Sequence, residues 1–261
     1  MLQHLVMLAS VALPSPALKA HLEFVARLAP IPCRDDLAAV AERHFNSTGI
    51  AAEIGVNVGT FAAKNLARWS GDYWAVDAWA VGSNMVNARR PELPASTEKV
   101  NSPAFNAAAK RLRRYGTRAH QLRGFSVPTA KKFANGTFDW VYIDALHTYE
   151  AIHDDLRAWW PKVRDGGLFS GDDYGDMKDT ENLPFERFAN LLRQPSWGGI
   201  TATIGWGDRN ISESKFSELY AWGTVRAVQE FAVEVGAALH VTYLMDCYTF
   251  PAWYMVKPPK I

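Results

Sequence analysis

Four polar residues could bind a cation or transfer a proton, and they follow two predicted strands: Asp144, His147, Asp172 and Asp173. An apolar run at residues 140–143 comes directly before Asp144, and a second apolar run precedes the aspartate pair. Short runs rich in β-branched and aromatic residues are typical of buried parallel strands. Because ligands in an open α/β sheet lie beyond the carboxyl ends of its strands, we expect the four side chains to meet at one edge of a sheet.

Three carboxylates at one edge form a candidate site for a hard divalent cation. Oxygen ligands favour Mg²⁺, Ca²⁺ or Mn²⁺ over zinc, so Asp144, Asp172 and Asp173 are the predicted metal ligands and Mg²⁺ the favoured ion. His147 is the candidate catalytic base, with Asp144 beside it as the second catalytic residue. Two plainer interpretations stay open. Asp172 and Asp173 could be polar turn residues, and His147 could be a loop histidine paired with an aspartate.

A glycine-rich turn, Glu53-Ile54-Gly55-Val56-Asn57-Val58-Gly59, joins the first predicted strand to the first helix. Glycines let the backbone approach a ligand closely, and a helix N-terminus favours a negative group. Asp77, at the end of the second predicted strand, is placed to accept hydrogen bonds from ribose hydroxyls. The spacing is Gly-x-x-x-Gly rather than the Gly-x-Gly-x-x-Gly of dinucleotide-binding proteins. The turn therefore predicts a nucleotide-like cofactor and disfavours NAD.

The elements that must position these residues alternate between strand and helix along most of the chain. This alternation indicates one α/β domain with a doubly wound, mostly parallel sheet. Predicted strands lie at 50–55, 73–77, 119–122, 140–143 and 168–170, followed by a C-terminal antiparallel hairpin at 239–245 and 253–256. Predicted helices lie at 60–69, at 105–115, around 131–132, from 148 to a turn at 165–167, and at 222–235.

The domain organisation follows from the same pattern. Residues 1–47 are predicted to form an N-terminal helical cap, and residues 48–261 the main domain. Two stretches near 80–104 and 175–215 lack clear periodicity, and we interpret them as insertions that overhang the site.

Composition limits the classes of protein that this chain can be. Its 261 residues, 48% hydrophobic and 21% charged, suit one large globular domain. A net charge of +1 gives no reason to expect nucleic acid or an anionic membrane. Cys33 and Cys247 stand in no metal or redox spacing, which suits a reducing compartment. Residues 5–13 have the length of a signal-peptide apolar region, but no Lys or Arg precedes them, so we favour a cytoplasmic protein over a targeting segment in residues 1–17.

The glycine-rich turn resembles the first motif of class I S-adenosylmethionine-dependent methyltransferases. A second stretch resembles one branch of them and consists of Phe138-Asp139-Trp140-Val141-Tyr142-Ile143-Asp144, His147, Tyr149, Gly166-Gly167 and Asp172-Asp173. That branch contains small-molecule O-methyltransferases, including magnesium-dependent enzymes that methylate sugars of macrolide and aminocoumarin antibiotics. The resemblance covers residues 48–174 and the closing hairpin. It implies a Rossmann-like, seven-stranded sheet whose last strand is reversed.

S-adenosyl-L-methionine is the cofactor that this resemblance implies. Its methionine end would lie against Glu53, Gly55, Asn57 and Gly59, its ribose against Asp77, and its adenine near Gly124, Phe125 and Ser126. In the metal-dependent members, Asp144, Asp172 and Asp173 match the ligand positions and His147 matches the base. The chain departs from the family pattern at Ser126, where an acid is often found, and in the two insertions.

The sequence thus predicts transfer of a methyl group to a hydroxyl of a small molecule, assisted by a divalent cation and a histidine base. The expected partner is a small-molecule acceptor rather than nucleic acid or a membrane, and self-association is left open. The alternatives are a metal-independent N- or O-methyltransferase, an NAD-dependent oxidoreductase, and a catalytically silent relative that binds the nucleotide. The chain also has one basic cluster, formed by Arg111, Arg113, Arg114 and Arg118. It is either a solvated helix face or a site for a phosphorylated, sulfated or carboxylated acceptor.

Overall fold

The computed structural model describes residues 30–45, 49–79, 102–147, 149–174, 224–243 and 251–259, together with four helical positions at 16, 19, 23 and 25. The strands are β1 Ile50–Ile54, β2 Asp72–Asp77, β3 Ala119–Arg123, β4 Phe138–Ile143, β5 Val163–Gly171, β6 Leu239–Val241 and β7 Trp253–Val256. The helices are α1 Leu37–Phe45, α2 Thr60–Leu66, α3 Ser102–Leu112, α4 Ser126–Ala130, α5 Tyr149–Trp159 and α6 Thr224–Val235. Short 3₁₀ turns lie at Arg34–Asp36, Arg113–Arg118 and Trp160–Lys162.

The strands form one seven-stranded sheet in the order β3-β2-β1-β4-β5-β7-β6. Pairing is parallel from β3 through β5. Strand β7 runs antiparallel to both β5 and β6. The predicted fold class, a mostly parallel seven-stranded sheet that ends in an antiparallel hairpin, is therefore confirmed.

Helices cover both faces of the sheet. Successive side chains of a strand point to opposite faces, so one strand can contribute to two cores. On β4, Trp140 and Tyr142 pack into the core beneath α1, α2 and α3, whereas Val141 and Ile143 pack into the core beneath α5 and α6. Leu37, at the start of α1, is fully buried in the first of these cores. The predicted N-terminal cap therefore shares the core of the sheet, and its expected boundary at residue 47 lies outside the described residues.

The start of β5 differs from the prediction. We expected residues 165–167 to end a helix, but α5 ends at Trp159, and the strand already begins at Val163. The Gly166 N–H donates to the Lys257 carbonyl at 2.8 Å, and the register against β4 shifts in the same region. The two glycines thus belong to an irregular part of a strand, whose partner at residue 257 is remote in sequence.

Other boundaries differ by smaller amounts. Helix α3 begins at Ser102, so the last residues of the first predicted insertion are helical, and α4 ends just before Lys131. Residues 80–101, the second insertion at 175–215, and Cys247 lie outside the described residues. Within the part of the chain that the structure describes, no helix is both long and apolar enough to cross a membrane.

Candidate active site

The register of the sheet brings the predicted site residues together. Ile54 of β1 lies opposite Ile143 of β4, and Ile143 lies opposite Gly171 of β5. The residues that follow continue this row, since the Asp144 N–H donates to the Ile54 carbonyl at 2.7 Å and the Asp172 N–H donates to the Ile143 carbonyl at 2.9 Å. The glycine-rich turn and both aspartates therefore lie at the same edge of the sheet.

The glycine-rich turn has the backbone geometry of a close approach. Gly55 has φ +95°, and a Cβ added there would overlap the carbonyl of Asp144. Gly59 caps α2 with φ +77°, and Asn57 has φ +50°. L-residues other than Asn and Asp rarely adopt such angles, so the turn needs these residue types. It passes directly beside the end of β4.

Asp77 fixes this turn. Its Oδ2 accepts hydrogen bonds from the N–H groups of Val56 at 2.9 Å and Asn57 at 2.8 Å, and its Oδ1 accepts one from Trp79 N–H at 2.7 Å. The Trp79 indole N–H donates to the Asn57 carbonyl at 2.7 Å, a contact that sequence reasoning missed. Burial raises the pKa of Asp77, and these N–H donors offset part of that rise.

Glu53 lies inside the sheet rather than open at its edge. Only 1% of it is exposed, and its Oε2 accepts a hydrogen bond from Tyr73 Oη at 2.6 Å, which in turn accepts one from Asn65 Nδ2 at 2.8 Å. Burial raises the pKa of Glu53 to about 8. Its predicted contact with the methionine end of the cofactor stays a prediction.

Ser126 connects α4 to α5. Its Oγ accepts a hydrogen bond from Trp159 Nε1 at 2.9 Å, and it also hydrogen-bonds Asp155, whose pKa burial raises to about 7. Neighbouring Gly124 donates its N–H to the Asp77 carbonyl at 2.8 Å. The departure from the family pattern at Ser126 thus has a structural use, and the expected role of this loop toward adenine stays a prediction.

His147 lies between two carboxylates beyond the ends of β4 and β5. Its Nδ1 is 3.3 Å from Asp173 Oδ2, its Nε2 is 3.6 Å from Asp144 Oδ1, and 13% of its side chain is exposed. Asp173 has φ +52°. Burial alone would lower the pKa of His147, but Asp173 and Asp144 outweigh it, so its pKa lies above the ordinary value. The pKa of Asp173 is raised by burial, against the attraction of His147.

Asp144, Asp172 and Asp173 form an acid cluster around His147. Arg34 also belongs to this site, although no sequence motif indicated it. Its Nη1 forms an ion pair with Asp172 Oδ2 and lies 3.7 Å from Asp144 Oδ2. Its guanidinium carbon is 4.8 Å from the ring centroid of Phe61. The Arg34 side chain is 14% exposed and that of Asp172 is 7% exposed, so the pair is largely removed from water.

This arrangement does not fit the predicted cation site. Arg34 contacts the oxygens of Asp172 and lies beside those of Asp144, while Asp173 lies against His147. Among the residues that the structure describes, no group of three or more His, Cys, Asp or Glu is placed to hold a metal ion. Asp172 Oδ1 is buried without a hydrogen-bond partner in the same described part of the chain.

The predicted basic cluster is divided between two environments. A groove of about 960 Å³ between α2 and α3 is lined by Lys64, Arg68, Lys110, Arg111 and Arg114 beside Asp35. Arg111 Nη1 also donates to the Val58 carbonyl at 3.1 Å, which ties α3 to the glycine-rich turn. Arg118 instead donates to the Trp69 carbonyl at 2.7 Å, in the segment between α2 and β2.

Comparison with known proteins finds a family that matches part of the chain and solved structures that share its fold. Residues 52–174 match the family described as a methyltransferase domain. A protein from Corynebacterium glutamicum aligns at 15% identity over 97% of this chain and 94% of that chain, with a TM-score of 0.50. The O-methyltransferase TomG from Streptomyces achromogenes, involved in tomaymycin synthesis and solved in complex with S-adenosylmethionine, aligns at 16% identity over 93% and 88%, also with a TM-score of 0.50. No curated protein matches the chain. The matched segment contains the glycine-rich turn, Asp77 and the acid cluster.

Proposed function

Because residues 52–174 match a methyltransferase domain, we propose that this chain is a class I S-adenosylmethionine-dependent methyltransferase that methylates a hydroxyl of a small molecule, with His147 as the general base. The observation that supports this assignment is the position of His147 at the sheet edge. The imidazole lies beyond the ends of β4 and β5, and the cofactor turn lies at the end of the adjacent strand β1. A base beside a cofactor turn suits an acceptor whose proton must be removed.

The cofactor is proposed to bind at the glycine-rich turn. A carboxylate offers about four lone-pair positions, and three of those on Asp77 are filled by backbone N–H groups. The remaining one, on Oδ1, is free of these three donors and can accept a ribose hydroxyl. Gly55 and Gly59 let the turn pack closely against the end of β4 and against α3, and we place the methionine end of the cofactor beside this turn. Gly124 and Ser126 follow β3 at the next position along the sheet edge, where we place the adenine.

The reaction is an in-line displacement at the methyl carbon. The acceptor oxygen forms the new C–O bond as the S–C bond breaks, and the sulfur leaves as a neutral thioether. The hydroxyl proton passes to His147. Asp173 beside Nδ1 and Asp144 beside Nε2 stabilise the imidazolium that forms when His147 takes this proton.

The proposed reaction does not include the divalent cation that was predicted at Asp144, Asp172 and Asp173. Arg34 lies among the same carboxylates, and none of the steps above passes through a metal ion.

Two measurements test this proposal. Calorimetry with S-adenosylmethionine and with NAD should give binding of the sulfonium cofactor alone, whereas tighter binding of NAD would favour an oxidoreductase. A panel of small hydroxyl and amine compounds should then be incubated with protein and cofactor and read by mass spectrometry. We expect a gain of one CH₂ unit on a hydroxyl compound. Methylation of amines alone would favour N-methyl transfer, and cofactor binding without any methylation would favour a silent relative.

A further inference from the structure

Arg34 is held in the acid cluster by the packing of the residues around it. Ile31 and Leu37, on either side, are fully buried, and both belong to the same core as Trp140 of β4. The Ile31 N–H is 3.5 Å from Tyr254 Oη, on the reversed strand β7. The backbone that carries Arg34 is thus fixed on the sheet.

The next two residues fix the segment from its other side. Asp35 Oδ2 accepts from Lys64 Nζ at 2.8 Å, and Asp36 Oδ1 lies 3.5 Å from Arg68 Nη1. Lys64 belongs to α2, and Arg68 lies just after the end of this helix. Asp35 and Asp36 therefore face α2, while Arg34 extends over Phe61 to the acid cluster.

The charge and size of the guanidinium decide what else this cluster can hold. Arginine stays protonated in proteins, so Arg34 supplies one fixed positive charge to Asp172 and Asp144. A divalent ion must lie roughly 2.0–2.6 Å from its carboxylate oxygens. At that distance from Asp172 Oδ2 it would overlap or repel the Arg34 amino group that already contacts this oxygen.

We propose that Arg34 is the resident cation of this acid cluster and takes the place of a divalent metal ion. Arg34 acts as a positioning residue, because it holds Asp144 and Asp172, and Asp144 in turn lies beside the His147 imidazole. Exclusion of a metal ion by Arg34 does not depend on which reaction the protein catalyses. The expectation that methyl transfer needs no added metal rests also on the proposed function.

Binding of Mn²⁺, followed by electron paramagnetic resonance and calorimetry, tests the proposal on the full chain. The wild type should bind no Mn²⁺ at this site. Arg34→Gln removes the charge and should gain a Mn²⁺ site whose affinity is at least roughly tenfold above any residual Mn²⁺ binding by the wild type. The double variant Arg34→Gln/Asp172→Asn should lose that gain. Arg68→Gln is the matched control, because it removes an exposed arginine of the same region and should leave Mn²⁺ binding unchanged.

Two outcomes would overturn the proposal. One is micromolar Mn²⁺ binding by the wild type that disappears in Asp172→Asn. The other is a folded Arg34→Gln protein that binds Mn²⁺ no better than the wild type, because something other than Arg34 would then exclude the ion.

If Arg34→Gln does not fold, the melting temperature of the wild type, measured in Mg²⁺ and in chelator, tests the proposal instead. An equal melting temperature in Mg²⁺ and in chelator supports the proposal. A rise in Mg²⁺ that is absent in Asp172→Asn overturns it. Failure to methylate any acceptor, with the metal results as expected, would count against the proposed function and leave the role of Arg34 intact.

Discussion

The carboxylate of Asp77 accepts a hydrogen bond from the backbone N–H of Asn57 at 2.8 Å, across the ends of two parallel strands. Asn57 has φ +50°, so this bond holds the turn in a conformation that few residues adopt. The same carboxylate is the proposed acceptor for the ribose. Cofactor affinity and the shape of the turn should therefore depend on the same side chain.

Asp77→Asn should weaken S-adenosylmethionine binding by about 1–3 kcal/mol, the cost of losing hydrogen bonds to a charged acceptor. The amide keeps the shape of the side chain, but its nitrogen cannot accept from a backbone N–H. Calorimetry measures the change. Asp72→Asn, at the opposite end of β2, is the matched control and should bind the cofactor normally. Equal affinity of Asp77→Asn and wild type would contradict the cofactor assignment.

Gly55→Ala should abolish cofactor binding and lower the free energy of unfolding by about 3 kcal/mol or more, because the new Cβ meets the Asp144 carbonyl in addition to the strain of a positive φ. Gly236→Ala separates the two effects. Gly236 also has a positive φ, of +64°, but an added Cβ there meets nothing within 4 Å. It should cost only about 1–2 kcal/mol and leave cofactor binding intact. Chemical denaturation and calorimetry give both quantities, and similar losses in the two variants would show that strain alone matters.

His147→Ala should reduce methyl transfer by about 10²–10⁴-fold, the usual contribution of a general base. Cofactor affinity should stay close to that of the wild type, since the imidazole contacts Asp144 and Asp173 rather than the glycine-rich turn. His153→Ala is the control, because His153 lies on α5 beside Asp154. Turnover under saturating cofactor distinguishes them. Undiminished turnover in His147→Ala would remove this residue from the mechanism.

Glu53→Gln should make stability less dependent on pH. The pKa of Glu53 is raised from 4.5 to about 8, so between these values the folded chain keeps a proton that the unfolded chain has lost. The free energy of unfolding of the wild type should therefore fall as pH rises through this window. The variant, measured by denaturation at pH 5 and pH 8, should gain on the order of 1–4 kcal/mol relative to the wild type at the higher pH.

The control for this experiment is Glu234→Gln, which changes an exposed glutamate on α6 paired with Arg157. Its difference from the wild type should be the same at both pH values. Asp155 has a pKa of about 7, so it also makes the free energy of unfolding fall with pH below that value. This contribution is the same in every variant, and the difference between Glu53→Gln and the wild type therefore reports on Glu53. Parallel pH profiles for Glu53→Gln and wild type would show that burial does not hold a proton there.

Local sequence patterns were sufficient to predict the sheet, the edge at which the site lies and the glycine-rich turn beside it. Short apolar runs, and breaks at glycine and aspartate, are local signals, and the ends of parallel strands must meet at one edge. They therefore indicated Asp144, Asp172 and Gly55 correctly as neighbours. Three contacts became visible only in the folded chain: the pairing of Gly166 with Lys257, the burial of Glu53 against Tyr73, and the placement of Arg34 on Asp172. The first depends on β7 beside β5, the second on the pairing of β1 with β2, and the third on the packing of the segment before α1. Each contact joins segments remote in sequence, so no local pattern predicts it.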